Sequence, residues 1–243
     1  MSSSPEHLDR RRGSLEPLGV ALLTTALVTV LSMYLPTSWV AVGVALVFLG
    51  ATWMMVLRRS DDEVLRYGLG LGGLIAGRSE EERSVPHMLR SALRALLVAS
   101  LFGVITFVPF YAGFLRFWHP RHAFSLGMPW MELLSLSAGQ LLVIALPEEA
   151  FYRGYVQSRL DDAFPARIRV LGAELGPSLL ITSVVFALGH VATVHKPARL
   201  AVFFPSLLFG FIRARTGGVG AGIVFHAMCN VYSDLLGRGF GVY

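Results

Sequence analysis

The segment LPEEAFYRGY, residues 146–155, sets two glutamates and an arginine directly behind the apolar run LLSLSAGQLLVIA. Ionised groups in or beside a bilayer are expensive, and chains keep them there for function. The strongly polar side chains in or bordering the later apolar segments are Glu148, Glu149, Arg153, His190, His226 and Asn230. Most other acids, among them Asp61, Asp62, Asp161 and Asp162, fall in polar links. Helical geometry sorts the unusual groups. Glu149 and Arg153 are i, i+4, share one face, and can pair as a lock that neutralises charge at low dielectric. Neighbouring residues point about 100° apart, so Glu148 cannot share that direction and is left to face a cavity. His226 and Asn230 in HAMCN are again i, i+4, and Phe186 and His190 in FALGH repeat the spacing. If their helices converge, a carboxylate next to a histidine can hold and deprotonate a water. A donor pair opposite can bind the oxyanion that forms when water attacks a carbonyl. Together these groups would equip a peptide-bond hydrolase.

A plainer reading exists for each position alone. A single intramembrane histidine or asparagine often serves as interhelical glue worth about 0.6–2 kcal/mol. Four such groups beside a Glu–Arg lock are harder to assign to glue. Pro147 has two readings: it starts a new helix with acids in its first turn, or it kinks a continuous helix and frees a carbonyl one turn back. Other intramembrane chemistries are missing from the sequence. It has no H-E-x-x-H, no G-x-S-x-G, and no pair of aspartates in an apolar segment.

These side chains need helices to hold them. The chain of 243 residues is 54% hydrophobic and only 15% charged, with a mean hydropathy of +0.59. Soluble domains carry about 25% charged residues. The expected fold is therefore all-α, a polytopic transmembrane helical bundle. Candidate spans are 17–35, 38–57, 91–114, 131–149, 174–193, 198–213 and 217–236. The Gly-rich stretch 64–77 would make an eighth if it dips into the membrane. The expected organisation is a polar N-terminus (1–16), N-terminal membrane helices (17–130) and a catalytic core (131–243). Lysine and arginine bias orients the bundle. Arg10, Arg11 and Arg12, the link 58–90, the link 150–173, and Arg213 with Arg215 put the N-terminus on the cytoplasmic side. Arg116, Arg121, Lys196 and Arg199 run against that pattern.

Other signals weigh less. The net charge of +5 and pI near 9.8 reflect basic links between apolar segments, so no nucleic acid partner is expected. The single Cys229 excludes a disulfide framework and a cysteine-rich zinc site. GLGLGG, 68–73, lacks the strand, helix and acid of a dinucleotide site and reads as packing or a turn. Gly218 and Gly222 read as a close contact. HPRH, 119–122, reads as a solvated loop.

EEAFYR fits E-E-x-x-x-R, FALGH fits F-x-x-x-H and HAMCN fits H-x-x-x-N, in that order on successive spans. In these three motifs the chain resembles the CPBP family of intramembrane endopeptidases (CAAX proteases, bacteriocin-processing enzymes, Abi), which includes the type II CAAX prenyl endopeptidase. The resemblance covers about 131–236. It implies a bundle of about eight spans with a cavity open toward the membrane or cytosol. It also implies Glu148 as water-activating base with His190 beside it, and His226 and Asn230 as the oxyanion site. Glu149, Arg153 and Phe186 would support them. No cofactor is expected; the alternative is zinc on Glu148, His190 and His226, with asparagine a poor ligand. The implied substrate is a membrane-anchored or lipidated protein or peptide, and the expected location is a bacterial cytoplasmic membrane. A non-enzymatic scaffold or immunity protein of the same fold, and a small-solute carrier, are the competing readings.

Overall fold

The computed structural model describes residues 5–242. Part of the polar segment 1–16 lies outside the described residues: residues 1–4, and the side chains of 5–12 with Arg10, Arg11 and Arg12. Tyr243 also lies outside them. The main helices are α1 (Pro5–Tyr34), α2 (Thr37–Leu57), a short α3 (Asp61–Arg66), α4 (Val85–Trp118) and α5 (Trp130–Ala163). A small antiparallel hairpin of β1 (Ile168–Val170) and β2 (Ala173–Leu175) follows. The chain closes with α6 (Pro177–Val194), a 3-10 turn at Pro197–Val202, α7 (Phe203–Thr216) and α8 (Gly220–Gly239). The protein is an all-α polytopic helical bundle. Among the described residues, six helices are long and apolar enough to cross a membrane. The last expected span is also a helix, α8, but it carries His226, Asn230, Asp234 and Arg238 and is more polar than those six.

Apolar side chains face both ways, as a bilayer solvent demands. On α4, Val104, Ile105 and Val108 are 63–74% exposed. Inside, one cluster joins Ala21 and Val28 of α1, Phe48 of α2, Phe151 and Tyr155 of α5, and Phe186 of α6. A second joins Ala99 of α4, Phe209 of α7 and Phe225 of α8. Residues 64–77 form the end of α3 and a glycine turn. Gly68, at φ 72°, lies against the Gly217–Gly218 turn, and its carbonyl accepts from Val219 N at 3.0 Å. A Cβ at Gly68 would sit 2.8 Å from Gly217 O, so the packing reading of GLGLGG holds.

The largest departure from the expected spans is α5. Hydropathy stops it at about residue 149, whereas the helix runs on to Ala163. The extension AFYRGYVQ is polar in composition yet wholly buried, because Arg153 and Gln157 each reach a partner on another element. Gln157 donates to Gly210 O at 3.2 Å, and Ser158 Oγ donates to Arg153 O at the same distance. Pro147 does not start a new helix. The helix continues through it, with π-helical stretches at Gln140–Ala145 and Ala150–Gln157 on either side of Leu146–Glu149. Wide turns of this kind take up a missing N–H and recur at functional sites.

The added length also fixes depth. At the foot of α5, Asp161 accepts a hydrogen bond from Ser178 at the head of α6. Counting back from Asp161 puts Glu148 about 20 Å up the bundle, and counting on from Ser178 puts His190 about 18 Å up, at 1.5 Å per residue. A fourth span ending at residue 149 would have left the two groups about 10 Å out of step. The basic links gather at this foot. Arg159 pairs with Glu16 at 2.6 Å, Arg66 with Asp162 at 3.5 Å, and Arg213 donates to Ser158 at 2.7 Å.

Candidate active site

The site is built outward from the Leu146–Glu149 turn of α5. Glu149 is fully buried, and its Oε1 meets Arg153 Nη1 at 3.0 Å. The i, i+4 lock read from the sequence is therefore present. The same oxygen accepts from His226 Nδ1 of α8 at 2.9 Å. Its Oε2 has no hydrogen-bond partner among the described residues and packs toward Gly222, where a Cβ would stand 3.2 Å away. Of the two glycines read as a close contact, Gly222 thus makes room for a carboxylate, and Gly218 packs against Gly68.

Arg153 is 1% exposed. Its Nη2 donates to Ser206 Oγ at 2.7 Å and Ser206 O at 3.2 Å, which ties α5 to α7. The guanidinium lies 4.5 Å from the Phe186 ring centre and 5.2 Å from that of Phe209. Aromatic faces suit a cation that has been taken out of water. Phe209 also stacks on the His226 ring at 4.5 Å, and Phe186 meets that ring edge-on at 6.0 Å. Two phenylalanines thus hold the cation and the imidazole in fixed planes.

Glu148 points elsewhere, as the 100° rule requires. Its Oε2 is buried and has no hydrogen-bond partner among the described residues; the His226 Nε2 atom is 3.9 Å away. Glu148 lines a cavity of about 160 Å³ together with Tyr152 of α5 and His190 of α6. His190 Nδ1 sits 3.0 Å from Phe186 O. A carbonyl can only accept, so Nδ1 carries the hydrogen and Nε2 offers a lone pair. The same reasoning puts the Nδ1 hydrogen of His226 on Glu149.

Glu148, Glu149, Arg153, Phe186, His190 and His226 therefore form one continuous cluster. Asn230 lies one turn beyond His226 and donates to Gln140 Oε1 of α5 at 2.9 Å, which leaves one amide hydrogen over. Neither His226 nor Asn230 lines the cavity. Sequence reading missed four contributors. Ser206 and Gln140 are ordinary polar residues in apolar helices. Tyr152 sits inside the EEAFYR motif but reads as an aromatic packing residue. Thr25 on α1 lines the cavity with Tyr152, the two hydroxyls both lying over Gly189, and carries no motif at all.

The alternative metal set fits poorly. No group of three His, Cys, Asp or Glu among the described residues converges closely enough to hold an ion. His226 has one nitrogen engaged by Glu149, and the remaining close donor pair, Glu148 and His226 Nε2, is one ligand short of the three protein ligands of a catalytic zinc site. The HPRH loop is exposed, with His119 beside Arg116, and supplies no third ligand.

Fold and site together define a class: a multi-pass membrane protein whose crossing helices bury a Glu–Arg–His cluster next to a lined cavity. Residues 129–232 match the family model for type II CAAX prenyl endopeptidase, Rce1-like. This C-terminal segment is similar to that endopeptidase family, and it contains all the motif residues named above. No curated protein and no solved structure matches the chain.

Proposed function

We propose that the protein is an intramembrane endopeptidase in which Glu148 activates the attacking water. The observation that supports this most is the contrast at Glu148: a buried carboxylate whose Oε2 has no hydrogen-bond partner among the described residues, facing a cavity that also holds an acceptor nitrogen of His190. A water needs about 30 Å³ and two to four polar partners, and the cavity provides both. One water hydrogen would go to Glu148 and the other to His190 Nε2, leaving the oxygen lone pair for attack. Glu148 takes a proton as the water oxygen bonds to the peptide carbonyl carbon. The carbonyl oxygen becomes an oxyanion. The proton then passes to the leaving nitrogen, the C–N bond breaks, and a new carboxylate and a new amine result.

The oxyanion falls to His226 and Asn230 on this reading. His226 is held by Glu149 so that only Nε2 is turned toward the reacting region. Asn230 contributes its remaining amide hydrogen. The substrate is a membrane-anchored protein or peptide able to reach an active site about 18–20 Å from the basic end of the bundle. That basic end is the cytoplasmic face, so the N-terminus is cytoplasmic.

The test is a comparison of membrane proteomes from cells carrying the wild type or Glu148→Gln at equal expression. New protein termini that appear only with the wild type support the reading. Equal termini in both, with the cellular function retained by Glu148→Gln, would leave a scaffold role instead.

A further inference from the structure

The hairpin that joins α5 to α6 takes no part in lining the cavity. Its two-residue apex is Leu171–Gly172, set between the paired Val170 and Ala173. Both apex residues have positive φ, 47° and 82°. Turns of this mirror-image type favour asparagine, aspartate or glycine in the first place, because the left-handed region crowds a larger side chain. Leucine is an unusual choice there. Its side chain is also 81% exposed, so no packing inside the protein offsets the conformation. We infer that this apex anchors the end of the bundle in the headgroup layer of the bilayer: Leu171 and its apolar neighbours dip below the phosphates, and three arginines around them bind anionic phospholipid headgroups. The inference goes beyond the hydrolytic reading of Glu148 and does not rest on it.

The apolar half of the anchor comes from strand alternation. Ile168 and Val170 share a face with Leu175 and Ala173, their partners across the hairpin. Ala173 is fully buried, because β2 packs on α7. Ile168 and Val170, on the outer strand, stay 60% and 40% exposed. The apolar face therefore continues beyond what α7 covers, and Leu171 extends it at the tip. In the interfacial layer such side chains leave water while cations beside them stay level with the phosphates.

The charged half comes from Arg167 and Arg169 of the hairpin and Arg215 in the last turn of α7. Arg215 lays its guanidinium over the apex: a Cβ at Gly172 would stand 3.2 Å from its Nε and 3.3 Å from its Cζ. That contact holds the tip against the end of α7, at the level of the basic foot. Other arginines at this foot are matched with acids: Arg59 with Glu63, Arg66 and Arg159 with Asp162, Arg78 with Asp62, and Arg83 with Asp61. Arg167, Arg169 and Arg215 meet no acid among the described residues; Glu174 stands across from Arg169 in the register without pairing with it. Exposed guanidiniums around one apolar tip complement a phosphate, whose oxygens suit their planar donors. Basic segments next to membrane spans draw anionic headgroups. The leucine favours a lipid over a soluble anion, because a free phosphate offers an apolar tip nothing.

The experiment uses the full chain in phosphatidylcholine vesicles, with or without phosphatidylglycerol. In a Cys229→Ala background, Ile168→Cys carries an environment-sensitive fluorophore, and lipids brominated near the headgroup act as quenchers. Quenching should occur and should increase when phosphatidylglycerol is present. Leu171→Asn in the same background should weaken it. Quenching that is absent, or the same in both lipid mixtures, overturns the inference.

A second arm measures melting in neutral detergent during titration with short-chain phosphatidylglycerol, with glycerol phosphate as the soluble control. The lipid should raise the melting temperature of wild type, and glycerol phosphate should not. Combined Arg167→Gln, Arg169→Gln and Arg215→Gln should melt like wild type without lipid and lose the lipid-induced rise. Leu171→Asn should melt no lower than wild type without lipid, since asparagine suits the turn, and should gain less from lipid. An equal rise in the triple variant, or a rise with glycerol phosphate as large as with lipid, overturns the inference. So does a Leu171→Asn protein that is less stable without lipid, because the leucine would then serve the fold. Neither arm requires cleavage, so failure of the hydrolytic reading leaves both outcomes interpretable.

Discussion

Glu148 and Glu149 are chain neighbours on one helix, and their surroundings differ in kind. Glu149 is dry, paired to Arg153, and hydrogen-bonded to His226 on another helix. Glu148 is turned to a cavity, with an oxygen that no described group engages. A single residue step on the helix therefore separates a group that holds the bundle together from a group available for chemistry. The separation depends on three devices. Adjacent residues diverge by about 100°. The arginine one turn on is consumed by a single acid. The widened turns on both sides of Pro147 keep this region of α5 in place without a straight ladder of hydrogen bonds.

The Glu149 side of this contrast carries the largest expected effect. Arg153→Met leaves Glu149 buried without its cation and removes both hydrogen bonds from Arg153 to Ser206. Removing one member of a buried ion pair costs about 3–5 kcal/mol. The variant should lose most of its folded yield and melt far below wild type in detergent, whatever substrate is used. Normal melting would mean that Glu149 is not acting as a structural anchor.

The Glu148 side should behave in the opposite way. Glu148→Gln keeps shape and burial and removes the base. Cleavage should fall by roughly 10²–10⁴-fold, the usual contribution of a positioned general base. The melting temperature should stay near wild type, because no described hydrogen bond is lost at Oε2. A variant that both unfolds and loses activity would erase the distinction between the two acids.

The sequence already contained this distinction. The i, i+4 spacing of Glu149 and Arg153 announced their pairing, and the same geometry sent Glu148 elsewhere. The three motifs also named the helices that carry the cluster. What hydropathy missed was the length of α5. The residues after Glu149 are polar in composition, and a sliding window cannot know that Arg153, Gln157 and Ser158 each meet a partner on another helix. Thr25, Phe48 and Ser206 were illegible for a different reason. Each is an unremarkable residue in an apolar span, and only the packing of α1, α2 and α7 against α5 gives it a role.

Ser206→Ala tests the anchor more gently. It deletes the 2.7 Å hydrogen bond from Arg153 and leaves the contact to Ser206 O. Hydrogen bonds to charged groups contribute about 1.5–3 kcal/mol. The melting temperature should drop, by less than in Arg153→Met. Activity of the remaining folded protein should persist, since Glu148, His190 and the cavity wall are untouched. A large loss of turnover without a loss of stability would show that the α7 tie positions the chemistry as well as the fold.

The smallest expected effect is none. Zinc would need a third ligand to join Glu148 and His226, and Glu149 already occupies the other nitrogen of that histidine. His190 keeps a free Nε2, but recruiting it would mean closing the cavity between the helices, since no three such groups among the described residues converge closely enough to hold an ion. Prolonged treatment of the purified protein with a strong chelator, followed by gel filtration, should therefore leave cleavage unchanged. It should leave the melting temperature unchanged as well, which gives a readout independent of any substrate. Loss of both, restored by zinc in a one-to-one ratio, would require the two acids to trade roles: Glu148 would be a ligand held by charge, and the water would be activated by the metal.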